Sequence, residues 1–141
     1  MELLIITNNP KVNEAITYSN ESCFRGISVD FDVEYSQTEV LIRARDMIHL
    51  GAKLVMHPMM GRIKPHETPY KSVFLEVPEE REKVKGTECD VNSVIMIEDS
   101  MAETRKLLEN TFALKYDDTM LPDLQFLDYL LLKAGAEEYR Q

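Results

Sequence analysis

A chain of 141 residues with 25 acidic and 16 basic side chains carries a formal net charge of −9, which argues against a surface built for nucleic acid or anionic lipid. Apolar residues at 44% and charged residues at 29% are the balance of a folded, soluble protein rather than a disordered one. A chain this long buries roughly 68% of the surface its unfolded form exposes, enough for one domain with its own core.

That domain is expected to span residues 1–141. Apolar runs such as Leu3 to Ile6 fall far short of a membrane span. Glu2 stands where a secretory leader would be basic. Cys23 and Cys89 form no spacing pattern, so no disulfide framework is expected and the compartment reads as reducing cytoplasm.

Leu3-Leu4-Ile5-Ile6 reads as a short strand buried on both faces. It runs into Thr7-Asn8-Asn9-Pro10, where Asn9 suits an N-cap and Pro10 the first helical position. Val12, Ala15 and Ile16 continue at helical spacing. Residues 19–26 are polar loop. Ile27, Val29, Phe31 and Val33 alternate with polar residues, as a half-buried edge strand does. Ser36-Gln37-Thr38-Glu39 is a capping box. The helix behind it carries Val40, Leu41, Ala44, Met47 and Ile48 and closes at Gly51. Lys53 to His57 is a strand, and residues 58–71 hold Pro58, Pro65 and Pro69 and form a loop.

Ser72 to Val77 is the next strand, and Pro78 to Val91 is a charged, exposed excursion. Ser93-Val94-Ile95-Met96-Ile97 reads as a buried strand. Ser100 and Glu103 then form a second capping box for a helix ending near Thr111 or Phe112. Pro122 opens a last helix with Leu124, Leu127, Leu130 and Leu131 as its stripe and Gly135 near its end. Strands alternating with helices predict a single-domain α/β layered fold, a mostly parallel sheet of about five strands flanked by four helices. Ligands in such folds sit at the carboxyl ends of strands. That sets Thr7 to Asn9, His57 onward and Glu98 to Ser100 on one edge.

The five glycines, Gly26, Gly51, Gly61, Gly86 and Gly135, are widely spaced, so no glycine-rich dinucleotide or phosphate loop exists. No G-x-S-x-G, C-x-x-C or H-E-x-x-H is present either. Charge, however, is uneven. Between Arg43 and Lys71 six basic side chains stand against two acidic ones, and His49, His57 and His66 share the window. Such an island suggests an anion site, with a solvated helix face and loop as the plainer reading.

The densest candidate inside it runs from His57 to Ser72. Its prolines stiffen the backbone and Gly61 permits a turn. Arg62, Lys64 and Lys71 suit a carboxylate or phosphate, and Tyr70 offers a hydroxyl or a stacking face. The competing reading is a structural turn between strands. Thr7, Asn8 and Asn9 offer donors at a helix N-terminus, with Asn9 capping in either case. Glu98 and Asp99 are most simply a helix start. The histidines are spaced too widely for zinc, so no metal and no cofactor are expected. His57 is the general-base candidate, against a hydrogen-bonded structural histidine.

Together these segments resemble the GrdX family. The resemblance rests on Thr7-Asn8-Asn9-Pro10, on Arg45-Asp46-x-Ile48-His49-x-Gly51, on Lys53-Leu54 leading to His57-Pro58, and on Ile97-Glu98-Asp99-Ser100. Its most specific part is Gly61-x-x-Lys64-Pro65-x-Glu67-Thr68-Pro69-Tyr70-Lys71-Ser72, and it covers most of the chain. Family members often carry small polar residues beside the loop glycine, where this chain has Met60 and Arg62. The resemblance implies a small soluble protein encoded beside the glycine, sarcosine and betaine reductases of amino-acid-fermenting anaerobes. It implies a pathway and supplies no reaction.

The expected function is an accessory protein of such a system, without catalysis of its own. Its expected partner is a reductase component or a small anionic metabolite. The candidate ligand residues are Thr7, Asn8, Asn9, His57, Gly61, Arg62, Lys64, Glu67, Thr68, Tyr70 and Lys71. The alternatives are an enzyme acting on a small carboxylate or acyl phosphate, with His57 beside an Arg62/Lys64/Lys71 clamp, and a pure interaction module whose acidic surface meets a partner of opposite charge.

Overall fold

The apolar run at the start of the chain becomes an inner strand of a sheet. A computed structural model describes residues 1–59, 61, 63–79, 89–110 and 114–141. Among them are four strands, β1 (Glu2–Thr7), β2 (Ile27–Phe31), β3 (Lys53–Leu54) and β4 (Ser72–Val77). Four α-helices accompany them, α1 (Pro10–Tyr18), α2 (Gln37–His49), α3 (Val91–Asn110) and α4 (Leu121–Arg140). Most of the expected charged excursion, residues 80–88, lies outside the described residues.

The fold is α/β, but its sheet is mixed and mostly antiparallel, in the order β2-β1-β4-β3. β1 and β2 run parallel, joined through α1, whereas β4 runs opposite to both β1 and β3. The mostly parallel, five-stranded expectation is therefore corrected. A parallel neighbour needs a crossover, usually a helix. Among the described residues of the link from β3 to β4 the only helical element is a 3-10 turn at Pro65–Glu67, and the chain reverses.

The missing fifth strand is the first part of α3. Ser93, Ile97, Ser100, Met101 and Thr104 are its buried residues, a helical period that is mostly polar. Ile95, which the strand reading buried, is exposed. Ser100 caps nothing, and Asp90 is the residue that starts the helix. Its carboxylate accepts from Ser93 N at 3.1 Å and from Ser93 Oγ at 2.7 Å. Ser93 Oγ in turn accepts from Leu54 N at 2.9 Å, tying β3 to α3.

Alternation along β1 and β4 assigns the two layers. Leu4 and Ile6 lie with Val73, Leu75 and Val77 against Val40, Leu41, Ala44 and Ile48 of α2 and Ile97 and Met101 of α3. On the other face Ile5 and Phe74 meet Val12 and Ala15 of α1 and Tyr129, Leu132 and Ala136 of α4. Register agrees, since Ile6 pairs with Val73 and Ile5 with Phe74. In α4 the buried stripe is Leu124, Tyr129, Leu132, Gly135 and Ala136, while Leu127 and Leu130 are exposed. Gly135 does not end the helix. A Cβ there would run into Met56 Sδ, so the glycine serves close packing.

Asp90→Ala is expected to lower the unfolding free energy by about 1 kcal/mol, read by urea titration at pH 7. Bonds from Ser93 hold the Asp90 carboxyl below its ordinary 3.8. The parent's advantage is therefore complete above that value and lost as pH falls through the lowered one. Equal stability of variant and parent at pH 7 would remove Asp90 from the cap.

Candidate functional site

Because β4 starts where β1 ends, Thr7 faces Ser72 across the ladder. Polar residues from both ends then meet. Asn8 Oδ1 accepts from Lys71 N at 2.9 Å, and Asn8 Nδ2 donates to the Tyr35 and Pro69 carbonyls, each at 2.9 Å. Asn9 caps α1 by accepting from Lys11 N at 2.9 Å. Its Nδ2 donates at 2.9 Å to Gln125 O and to Asp128 Oδ2. Ser72 Oγ also lies 2.7 Å from Asp128 Oδ2 and 2.7 Å from Thr7 Oγ1.

Asp128 fixes the protons of this chain of hydroxyls. An ionised carboxylate only accepts, so Ser72 donates to it and Thr7 donates to Ser72. Thr7 Oγ1 then accepts from Asn9 N at 2.9 Å. Thr7, Asn8 and Asn9 are buried, and these bonds make them the frame of the sheet edge.

Above that frame lies a cleft of about 40 Å³. Gln37, His57, Thr68, Tyr70, Lys71, Ser72 and Asp128 line it, with Met56, Pro58, Ile63, Leu124, Leu131 and Leu132 as apolar wall. Gln37 is 6% exposed. Its Nε2 donates to Pro65 O at 2.8 Å and Thr68 O at 2.7 Å, and its Oε1 is buried with no hydrogen-bond partner among the described residues. Tyr70 is buried, and its hydroxyl accepts from Gln125 Nε2 at 2.7 Å.

Lys71 and Asp128 bring opposite charges into one place. Lys71 Nζ donates to Pro58 O at 2.8 Å and lies 3.6 Å from Met59 Sδ. Among the ion pairs of the described residues it takes no part. Burial pushes its pKa down, and the charge of Asp128 works against that shift. Burial pushes the Asp128 carboxyl up, opposed by the bonds from Asn9 and Ser72 and by the Lys71 charge.

The remaining expected ligand residues are distributed around this cleft. His57 is exposed at its mouth, with Nδ1 accepting from Met59 N at 3.0 Å. Thr68 Oγ1 accepts from Tyr70 N at 3.2 Å. Glu67 Oε1 accepts from Lys64 N at 3.0 Å and closes the 3-10 turn, while the Lys64 side chain is exposed outside the lining. Gly61 has φ +95°, and a Cβ there would lie 2.7 Å from Leu131 Cδ1. Arg62 lies outside the described residues.

The described residues of the basic island therefore do not converge. Arg43 pairs with Asp30 at 2.8 Å and stacks on Tyr35, and Arg45 pairs with Asp46 at 3.6 Å. Glu98 and Asp99 are exposed in the middle of α3, and neither lines the cleft. Among the described residues no cluster of three or more His, Cys, Asp or Glu suits a metal ion.

Gln37 and Asp128 are the polar cleft residues that sequence reasoning did not single out. Asp128 had a signal, since it stands four residues from both Leu124 and Leu132 on the buried stripe of α4. Gln37 had none, because a glutamine just after an N-cap is ordinary.

Asn9→Ala removes the cap and two donors at once. It is expected to cost about 2–4 kcal/mol in urea titration. Asn9→Asp keeps the cap but sets a second carboxylate against Asp128. Paired carboxylates raise one another's pKa, so this deficit should shrink as pH falls from about 7 to 5. A pH-independent deficit would show that the two groups do not interact.

A family model described as GrdX-like protein matches residues 4–137. No curated protein and no solved structure matches the chain. Among the described residues no helix is long and apolar enough to cross a membrane.

Proposed function

We propose, since the chain belongs to the GrdX-like protein family, that it is a cytoplasmic accessory protein of a glycine, sarcosine or betaine reductase-type system. On this reading it binds a small metabolite carrying a negative group in the cleft of Lys71 and Asp128. The observation that carries the reading is the state of Lys71. An ammonium drawn out of water is costly unless an anion completes its surroundings. Among the described residues the chain supplies a carbonyl and a thioether, and no carboxylate in contact.

Binding is favoured over catalysis because His57 sits at the exposed mouth with Nδ1 engaged by Met59 N. The enzyme alternative keeps a specific support, since His57 and Lys71 line the same cleft. Of the expected clamp, Lys71 alone among the described residues reaches it.

A thermal-shift screen at low ionic strength tests the reading with glycine, sarcosine, betaine, acetate, acetyl phosphate and phosphate. A ligand at one hundred times its Kd adds about 2.7 kcal/mol, a rise of roughly 8 °C for a chain of this size. Lys71→Met is expected to abolish the rise and His57→Ala to leave it. No rise with any compound would overturn the metabolite reading. Turnover of acetyl phosphate that His57→Ala abolishes would favour the enzyme.

A further inference from the structure

We propose that the ligand of this cleft is a small zwitterion with at least one ammonium N–H, an amino-acid-like molecule. Its ammonium is held by Gln37 Oε1 and Asp128, and its carboxylate by Lys71 Nζ. This inference rests on the reading that the cleft binds a metabolite, and it specifies the class.

The argument starts from the Gln37 amide. Carbonyl oxygens cannot donate, so the bonds to Pro65 O and Thr68 O fix which end of the amide is NH₂. The other end, Oε1, is therefore an acceptor, and it is buried without a donor. Such an atom costs free energy until a donor reaches it. A simple anion such as acetate or phosphate has no proton to offer it. An ammonium does.

Asp128 extends the same demand. Asn9 and Ser72 both donate to Oδ2, and among the described residues no hydrogen bond reaches Oδ1. A bare anion in the cleft would meet this carboxylate as a like charge. Lys71 asks for the opposite group, with one N–H left over after Pro58 O and Met59 Sδ. One cation and one anion lining the cleft match a ligand of zero net charge that carries both signs. The volume of about 40 Å³ and the walls of Met56, Leu124 and Leu131 restrict it to the smallest such molecules. An N-trimethylated zwitterion lacks the N–H that Gln37 requires.

Calorimetric titration of the full chain at pH 7 and low ionic strength separates the cases. The probes are glycine, N-methylglycine, N,N,N-trimethylglycine, leucine, acetate and methylammonium. Glycine and N-methylglycine are expected to bind roughly tenfold or more tighter than the other four, at least one hydrogen bond's worth. Asp128→Asn still accepts from Asn9 and Ser72 while losing its charge. It is expected to weaken glycine and erase the preference over acetate.

Acetate binding as tightly as glycine, with both lost in Lys71→Met, would overturn the zwitterion and leave the anion cleft standing. Trimethylglycine matching glycine would overturn the N–H requirement. Heat from none of the probes would overturn the cleft reading and this inference together. Should Asp128→Asn fail to fold, the ratios on the parent chain decide.

Discussion

The antiparallel pairing of β1 with β4 is the constraint on which the rest of the molecule depends. It buries Ile5, Ile6, Val73, Phe74 and Leu75 between two helical layers. The same register sets the end of β1 against the start of β4, so the Asn8-Asn9 turn meets Pro69 to Lys71. Had β4 run the other way, Ser72 and Lys71 would lie at the opposite edge, and neither the hydroxyl chain nor the cleft would exist. Packing and site are thus two consequences of one pairing.

The polar side of that edge shows how the chain tolerates charge near its core. Asp128 is stabilised by donors from Asn9 and Ser72, which offset part of the cost of burying a carboxylate. Lys71 receives only partial compensation, and Gln37 Oε1 receives none from the described residues. A structure selected for stability alone would gain by replacing such groups with apolar ones of similar shape. Their presence in one cleft is the physical ground for reading it as a place where another molecule completes the bonding.

Several local features were legible in the sequence. Asn9 caps α1 and Pro10 opens it, and Ser36 caps α2 by accepting from Glu39 N. The alternation from Ile27 marked an edge strand, and β2 is at the edge. Each signal spans only a few residues, so it survives without knowledge of the rest of the chain. The failure at Ser93 to Ile97 is equally local. An apolar run of that length suits a strand or a buried helix, and the polar residues Ser93, Ser100 and Thr104 hid the helical period. Leu127 and Leu130 misled in the opposite sense, as apolar residues left exposed.

What the sequence determined by itself was the caps of α1 and α2, the alternation of β2, the α/β class and the GrdX family, because these follow from neighbours within a turn or from a pattern along the chain. Tertiary structure alone decided the direction of β4, the scatter of the described residues of the basic island and their share in lining the cleft. Asn9 and Asp128 are 119 positions apart, and Asn8 and Lys71 are 63 apart. No local rule couples residues at such distances. Only strand pairing and the burial of two sheet faces bring them within a hydrogen bond, which is why Gln37, Lys71 and Asp128 line one cleft in the folded chain.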